Sequence, residues 1–329
     1  MKLLLIAVLL IVIGLPVAVV LALLFGGPSS PPVAKGITEP FKALDDSDLP
    51  APSHYPARDG SQLAFRHYPP HATAQRGSVV LLHGSSATSW SLHPLARAYA
   101  DAGYAAYALD VRGHGGSGTR GVIDHVGQLE EDLEDFMQAV APAAPTTLVG
   151  FSAGGGFALR VAGGRYQGLF DHYLLLAPFI GQDAPTYRHG SGGWVRVGIP
   201  RYLAILLLNR LGIHAFDHLP VVRYALNDEA KAALTPWYAF NLAQNYRPER
   251  GYRATIAAVQ RPMHVLVGEQ DPVFHVEHFD AVFRDAGSTA TVELLPGIDH
   301  VGLVLEPRAI DAAIDATRDL HRHDKPSIP

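Results

Sequence analysis

Gly150-Phe151-Ser152-Ala153-Gly154 sets one serine between two glycines, after the apolar Leu148-Val149 and before a stretch that suits a helix. Gly-x-Ser-x-Gly is the spacing of a strand-to-helix elbow that presents a nucleophilic serine. The reason is steric: side chains two residues either side of the serine would meet the adjoining strand and helix, and glycine has no Cβ. A free serine hydroxyl is a weak nucleophile, so such a serine needs a base, a group to orient the base, and donors for an oxyanion. On these five residues alone, the competing reading is a tight turn that needs glycine only for packing.

The other parts of such a constellation are spread along the chain. His300 follows the apolar stretch 291–295 by the short loop Pro296-Gly297-Ile298-Asp299, where a base is expected. Asp271 closes Val267-Gly268-Glu269-Gln270-Asp271-Pro272 and is expected to hold the imidazole tautomer and stabilise imidazolium; Glu269 is its rival. Asp299 reads as a loop or cap residue. The order Ser152, Asp271, His300 is that of nucleophile, acid and base in doubly wound hydrolytic folds. His83-Gly84-Ser85-Ser86 follows the apolar run 78–82. Gly84 lets the backbone turn closely, and the amides of Ser85 and Ala153 are expected to form an oxyanion hole; the Ser85 and Ser86 hydroxyls read as loop capping.

Asp110-Val111-Arg112-Gly113-His114-Gly115-Gly116-Ser117 is glycine-rich but lacks both nucleotide-binding spacings, so no phosphate ligand is expected. Asp110 and Arg112 are expected to brace this loop beside the elbow. His275 and His278 lie three apart, and His321 and His323 two apart, without a convincing third ligand. No metal and no cofactor is expected, and the His321/His323 pair reads as a solvated terminus.

These residues need elements to place them. Strands are expected at 61–67, 78–82, 104–109, 146–149, 173–176, 263–267 and 291–295, and helices at 90–102, 124–140, 153–163, 275–286 and 307–321. In 124–140 the apolar Val126, Leu129, Leu133, Phe136, Met137 and Val140 recur at three and four, and the acids take the other face. Near-continuous apolar strands alternating with amphipathic helices predict an α/β fold, a mostly parallel doubly wound sheet whose carboxyl ends carry the site. The interval of about 180–261 breaks the rhythm. It holds no clear strand, has Ile205-Leu206-Leu207-Leu208 flanked by Arg201 and Arg210, and looks helical again over 224–245 with an interruption near Pro236. It reads as a helical cap insertion, its apolar residues being either ordinary packing or the wall of a substrate channel.

The chain has 329 residues, a net charge of -5 and no cysteine. There is no basic block to neutralise phosphates, so nucleic acid is not expected as a partner. Disulfides, zinc–thiolate sites and iron–sulfur clusters are excluded. Nothing sets an oligomeric state. Residues 3–25 run without a charge, enough helix to span roughly 30 Å of hydrocarbon. The stretch is long for a signal-peptide core and lacks an Ala-x-Ala-like site, so it reads as an uncleaved transmembrane anchor, a cleaved signal being the alternative. Lys2 precedes it and no positive charge follows until Lys35, which favours a domain on the extracytoplasmic side, periplasmic or extracellular. Gly27-Pro28-Ser29-Ser30-Pro31-Pro32 reads as a semi-rigid linker that lifts the domain off the membrane. The expected organisation is an anchor or signal at 1–26, linker and irregular lead-in at 27–57, the catalytic domain at 58–322, and a tail at 323–329.

Over roughly residues 58–319, the motifs His83-Gly84, Asp110 to Ser117, Gly150 to Gly154, and Asp271 with His300 resemble the α/β-hydrolase superfamily. Within it the chain resembles the monoacylglycerol lipase/lysophospholipase group, also catalogued as serine aminopeptidase-like. Arg112-Gly113-His114-Gly115-Gly116-Ser117 matches that group's Arg-Gly-His-Gly-x-Ser loop, and the insertion precedes the acid strand as it does there. Phe151 and Ala153 depart from the His and Met usual at the group's elbow; this loosens the substrate and leaves the triad positions filled. The resemblance implies two-step acyl transfer through Ser152, His300 and Asp271, without a cofactor, on acylglycerols or lysophospholipids. A serine peptidase or a cofactor-free haloperoxidase would use the same triad, and a non-catalytic binding protein would keep only the fold.

Overall fold

The computed structural model describes residues 10–32, 39–71, 75–189, 193–249 and 251–322. Its strands are β1 (Ser53–Pro56), β2 (Gln62–Tyr68), β3 (Ser78–Leu82), β4 (Ala105–Leu109), β5 (Thr146–Phe151), β6 (His172–Leu176), β7 (Val195–Val197), β8 (Pro220–Tyr224), β9 (Trp237–Ala239), β10 (Met263–Gly268) and β11 (Thr291–Leu295). The main sheet has the order β1-β2-β4-β3-β5-β6-β10-β11. β1 and β2 pair antiparallel, β2 and β4 antiparallel, and every later pair is parallel.

Every residue of β3, β4, β5 and β6 is buried, as helices on both faces require. The chain runs outward from β3 to β4, then crosses back to place β5 on the other side of β3. At such a reversal the carboxyl ends of neighbouring strands leave a crevice. β3 ends just before His83 and β5 just before Ser152, so the crevice opens where the two motifs meet.

Several expectations are corrected by the packing. The lead-in is not wholly irregular: Ser53–Pro56 is a sheet strand, with Tyr55 buried against Phe136. Upstream of it, Asp46 and Asp48 accept from Trp90 and Arg97 on the helical side of the domain. The helix expected at 124–140 starts at Gln128, because Gly127 has φ 110° and breaks the approach; Val126 lies exposed outside it. That helix's acids are not all given to water. Glu130, Asp132 and Asp135 are buried and bind Arg160, Arg112 and Arg58 respectively. Each pairing joins residues far apart in sequence, which spacing within one helix does not reveal.

The cap is not purely helical. β7, β8 and β9 form a three-stranded antiparallel sheet in it, and the interruption expected near Pro236 within 224–245 is a strand, β9, between two short helices. These strands run three to five residues, too short for their alternation to register in sequence. The cap helix Ile199–Arg210 packs Ala204 and Ile205 against Leu23 of the N-terminal helix Leu15–Phe25.

The segment after that N-terminal helix does not hold it away from the domain. The Arg201 amide donates to Gly26 O, its guanidinium donates to the carbonyls of Leu23, Leu24 and Pro220, and Arg223 donates to Ser30. A Cβ on Gly27 would lie 2.4 Å from the Arg201 guanidinium, so the chain is laid directly on the cap. Among the described residues no helix is long and apolar enough to cross a membrane. The predicted span begins at residue 3, and its part before Leu10 lies outside the described residues, as does the predicted tail at 323–329.

Candidate active site

The elbow explains its own glycines. Ser152 sits between β5 and the helix Ala153–Ala162 with φ 55° and ψ -115°, a strained backbone for a residue with a side chain. It is held there because its amide donates to Leu176 O of β6 and its carbonyl accepts from the amides of Gly156 and Phe179. A Cβ on Gly150 would stand 2.3 Å from Gly154 O, and a Cβ on Gly154 would stand 2.4 Å from His83 O. The two glycines therefore let β5, the helix start and the end of β3 close onto one another.

The structure brings Ser152, His300 and Asp271 into one hydrogen-bonded line. The Asp271 carboxylate can only accept, so the His300 Nδ1–H donates to its Oδ2 at 2.6 Å. This leaves Nε2 bare, and the Ser152 hydroxyl donates to it at 3.1 Å. Asp271 is buried, and its Oδ1 accepts from the amides of Val273 at 2.7 Å and Phe274 at 3.2 Å, which fixes the carboxylate from its far side. The rings of Phe151 and Phe274 pack on the imidazole with centroids 4.9 and 5.5 Å away. Glu269 is exposed, and Asp299 accepts from the Gly302 amide as a cap.

Beside the elbow, a Cβ on Gly84 would lie 3.3 Å from Ser152 Cβ, so the loop after β3 runs against the serine. Ser85 and Ala153 both line the cavity that contains Ser152. The Ser85 amide donates to no described residue, and the Ala153 amide lies in the first helical turn, where N–H groups have no intrahelical acceptor. His83 is fully buried. Its Nδ1 lies 2.9 Å from Gly84 O, which can only accept, so Nδ1 carries the proton and Nε2 accepts from the Val111 amide at 3.2 Å. Burial holds His83 and His114 below the usual histidine range, both as neutral rings.

Asp110 accepts from the amides of Ser89 at 2.7 Å and Gly116 at 2.8 Å, tying the glycine-rich loop to the start of the following helical turn. Arg112 makes two bonds to Asp132, at 2.8 and 2.7 Å, and one to Asp59 at 2.8 Å. Both residues therefore anchor the loop from beneath and do not reach Ser152.

His275 and His278 lie with ring centroids 5.9 Å apart, each beside Glu277. His321 is not a solvated tail residue. Its Nε2 is 2.8 Å from Thr147 Oγ1 and its ring packs on His172 and Tyr104, because the last helix lies against the sheet.

The serine opens into a cavity of about 720 Å³ between sheet and cap. Its walls include Phe179, Trp194, Tyr202, Leu203, Val222 and Phe274. Tyr224, Tyr238 and Tyr246 of the cap also line it, close to the loop after β3. Sequence reasoning missed these tyrosines, since nothing local distinguishes them from ordinary cap aromatics.

Fold and site together define an α/β-hydrolase. The chain belongs to the family described as serine aminopeptidase, S33, which matches residues 73–308. A monoacylglycerol lipase of Mycolicibacterium smegmatis is 38% identical over 114 residues, 33% of this chain and 40% of that protein. The uncharacterized Escherichia coli protein YnbC is 26% identical over 283 residues, 81% of this chain and 46% of that protein. The chain thus spans less than half the length of these two relatives. Among solved structures, a soluble variant of the Saccharomyces cerevisiae monoglyceride lipase superposes with a TM-score of 0.62 at 19% identity, over 83% of this chain and 96% of that one. The Paleococcus ferrophilus monoacylglycerol lipase gives a TM-score of 0.58 at 19% identity, over 79% and 99%. At these identities the structural likeness speaks for the fold.

Proposed function

We propose that this protein is a serine hydrolase of carboxylic esters and that its substrates are acylglycerols or lysophospholipid-like lipids. One observation carries the reading: the hydrogen-bonded line from Asp271 through His300 to Ser152 opens into a large cavity walled mainly by apolar side chains. An acyl chain loses its water there, at about 0.8 kcal/mol per methylene.

In this reading the Ser152 hydroxyl attacks the ester carbonyl as His300 Nε2 takes its proton, and Asp271 stabilises the imidazolium. The amides of Ser85 and Ala153 receive the oxyanion, where each donor is worth about 3 kcal/mol. Collapse of the tetrahedral species expels the alcohol, which takes the proton from His300. Water, deprotonated by the same imidazole, then cleaves the acyl-enzyme and frees Ser152. Glu229 is the one carboxylate among the described residues lining the cavity, and it is exposed, so a buried partner for a peptide's free amino group is not provided. The name of the Mycolicibacterium smegmatis relative agrees with an acylglycerol substrate.

The apolar N-terminal stretch is proposed as a membrane anchor, with the domain on the extracytoplasmic side. Val17, Val20, Leu21, Leu24 and Phe25 are exposed on the described part of the helix, which supports this. Ile199 and Leu203 are also exposed and line the cavity, so in this reading lipid enters beside the anchor.

Purified full-length protein in detergent is assayed on monoacylglycerols and lysophospholipids of increasing chain length and on amino-acid amides. The proposal expects ester turnover whose kcat/KM rises with chain length. Turnover of amides bearing a free amino group, without esters, would replace it with a peptidase.

A further inference from the structure

We propose that the cap holds the backbone that binds the oxyanion, and that Tyr238 is the positioning residue through which it does so. The inference rests on the reading of Ser152 as the acylated nucleophile and concerns how the Ser85 amide is aimed.

A peptide unit is planar, so fixing its carbonyl fixes the direction of its N–H. The unit joining Gly84 to Ser85 is pinned from inside the sheet domain: Gly84 O accepts from His83 Nδ1 at 2.9 Å and from the Ala87 amide at 3.3 Å. The next unit, joining Ser85 to Ser86, is pinned by the cap. Its N–H, on Ser86, donates to the Tyr238 hydroxyl at 2.6 Å. Two further bonds join Ser86 to the same cap segment: its Oγ donates to Thr235 O at 2.7 Å, and its carbonyl accepts from the Thr235 amide at 2.9 Å. They are needed because Ser86 has φ 68°, a conformation a serine keeps only where its surroundings hold it. Tyr246, also of the cap, donates to His83 O at the start of the loop.

The Tyr238 hydroxyl has no freedom to turn away. His114 Nδ1 lies 3.1 Å from Val111 O and 3.3 Å from Arg112 O, both acceptors only, so its proton is on Nδ1. The bare Nε2 accepts a hydrogen bond from the Tyr238 hydroxyl at 2.6 Å, which leaves the phenolic oxygen to accept from Ser86. One hydroxyl thereby links the glycine-rich loop to the loop after β3. Tyr238 and Ser86 are both buried.

The test is Tyr238→Phe in the full-length protein, with wild type first shown to react with a fluorophosphonate. Steady-state rates are measured on a soluble ester. Affinities are measured for a trifluoromethyl ketone, which Ser152 converts to an oxyanion, and for the corresponding alcohol, which carries none. The expected result is a kcat lower by about ten-fold, a KM within about two-fold, an equal loss of ketone affinity and unchanged alcohol affinity. Ketone affinity and kcat within about two-fold of wild type would overturn the proposal, and so would equal losses for ketone and alcohol, which mark general damage. Should Tyr238→Phe fail to fold, Ser86→Ala, which loses the Oγ bond to Thr235 and keeps the Ser86 amide, tests the cap's hold on the same loop: a smaller loss of the same pattern is expected, and no loss would overturn the proposal. A wild type inert to both ester and fluorophosphonate would instead remove the hydrolase reading itself.

Discussion

At the scale of single residues, the site depends on side chains whose protonation is fixed by neighbours that can only accept. Carbonyl oxygens set the tautomers of His83 and His114, and a carboxylate sets that of His300. For the two buried rings this has a consequence for stability. Burial lowers their folded-state pKa beneath the value near 6.5 of an unfolded chain. Below that value the unfolded chain binds more protons than the folded one, so their contribution is complete above pH of about 6.5 and is lost as pH falls further. Each ring can add up to roughly 1.4 kcal/mol per pH unit to that loss. Denaturant melts between about pH 7.5 and about pH 5.5 should show it. His114→Gln, which keeps a side-chain acceptor for Tyr238 and cannot ionise there, should flatten the fall. An unchanged slope in that variant would contradict the assignment of a neutral, buried His114.

At the scale of elements, the elbow is a contact of three backbones. Gly154→Ala would press a methyl group to 2.4 Å from His83 O and 2.6 Å from Leu82 O, both backbone atoms that cannot swing aside. It should destabilise the protein by about 1–3 kcal/mol, measured by thermal or denaturant melts, and displace the loop after β3. A melting curve matching wild type would mean that the elbow has slack. Such contacts explain what sequence reveals. Each catalytic candidate stands in a local pattern: a serine between glycines, a histidine shortly after an apolar run, an acid at a strand end. The strands β3, β4, β5, β6 and β10 are legible because their apolar runs are nearly unbroken. The cap strands are not, being three to five residues long and bounded by prolines and short helices. Nor are the Glu130–Arg160 pair and the Tyr238–Ser86 bond, which join residues 30 and 152 positions apart and carry no periodic trace.

At the scale of the whole molecule, cap, N-terminal helix and catalytic crevice form one connected arrangement. Arg201 joins the end of the N-terminal helix to the cap, and the cap in turn reaches the loop after β3. The proposed orientation can be tested because the chain has no cysteine. Asp285→Cys, at an exposed helix end, should be labelled in intact cells by a membrane-impermeant maleimide; labelling only after lysis would place the domain on the other side. The central claim is that Ser152 is an activated nucleophile, and covalent labelling addresses it without knowledge of the substrate. Full-length protein is treated with a fluorophosphonate, digested and read by mass spectrometry. The account predicts one stoichiometric adduct, on the peptide containing Ser152, absent from Ser152→Ala and strongly slowed in His300→Ala. No adduct on folded wild-type protein, or an adduct that persists in Ser152→Ala, would contradict it.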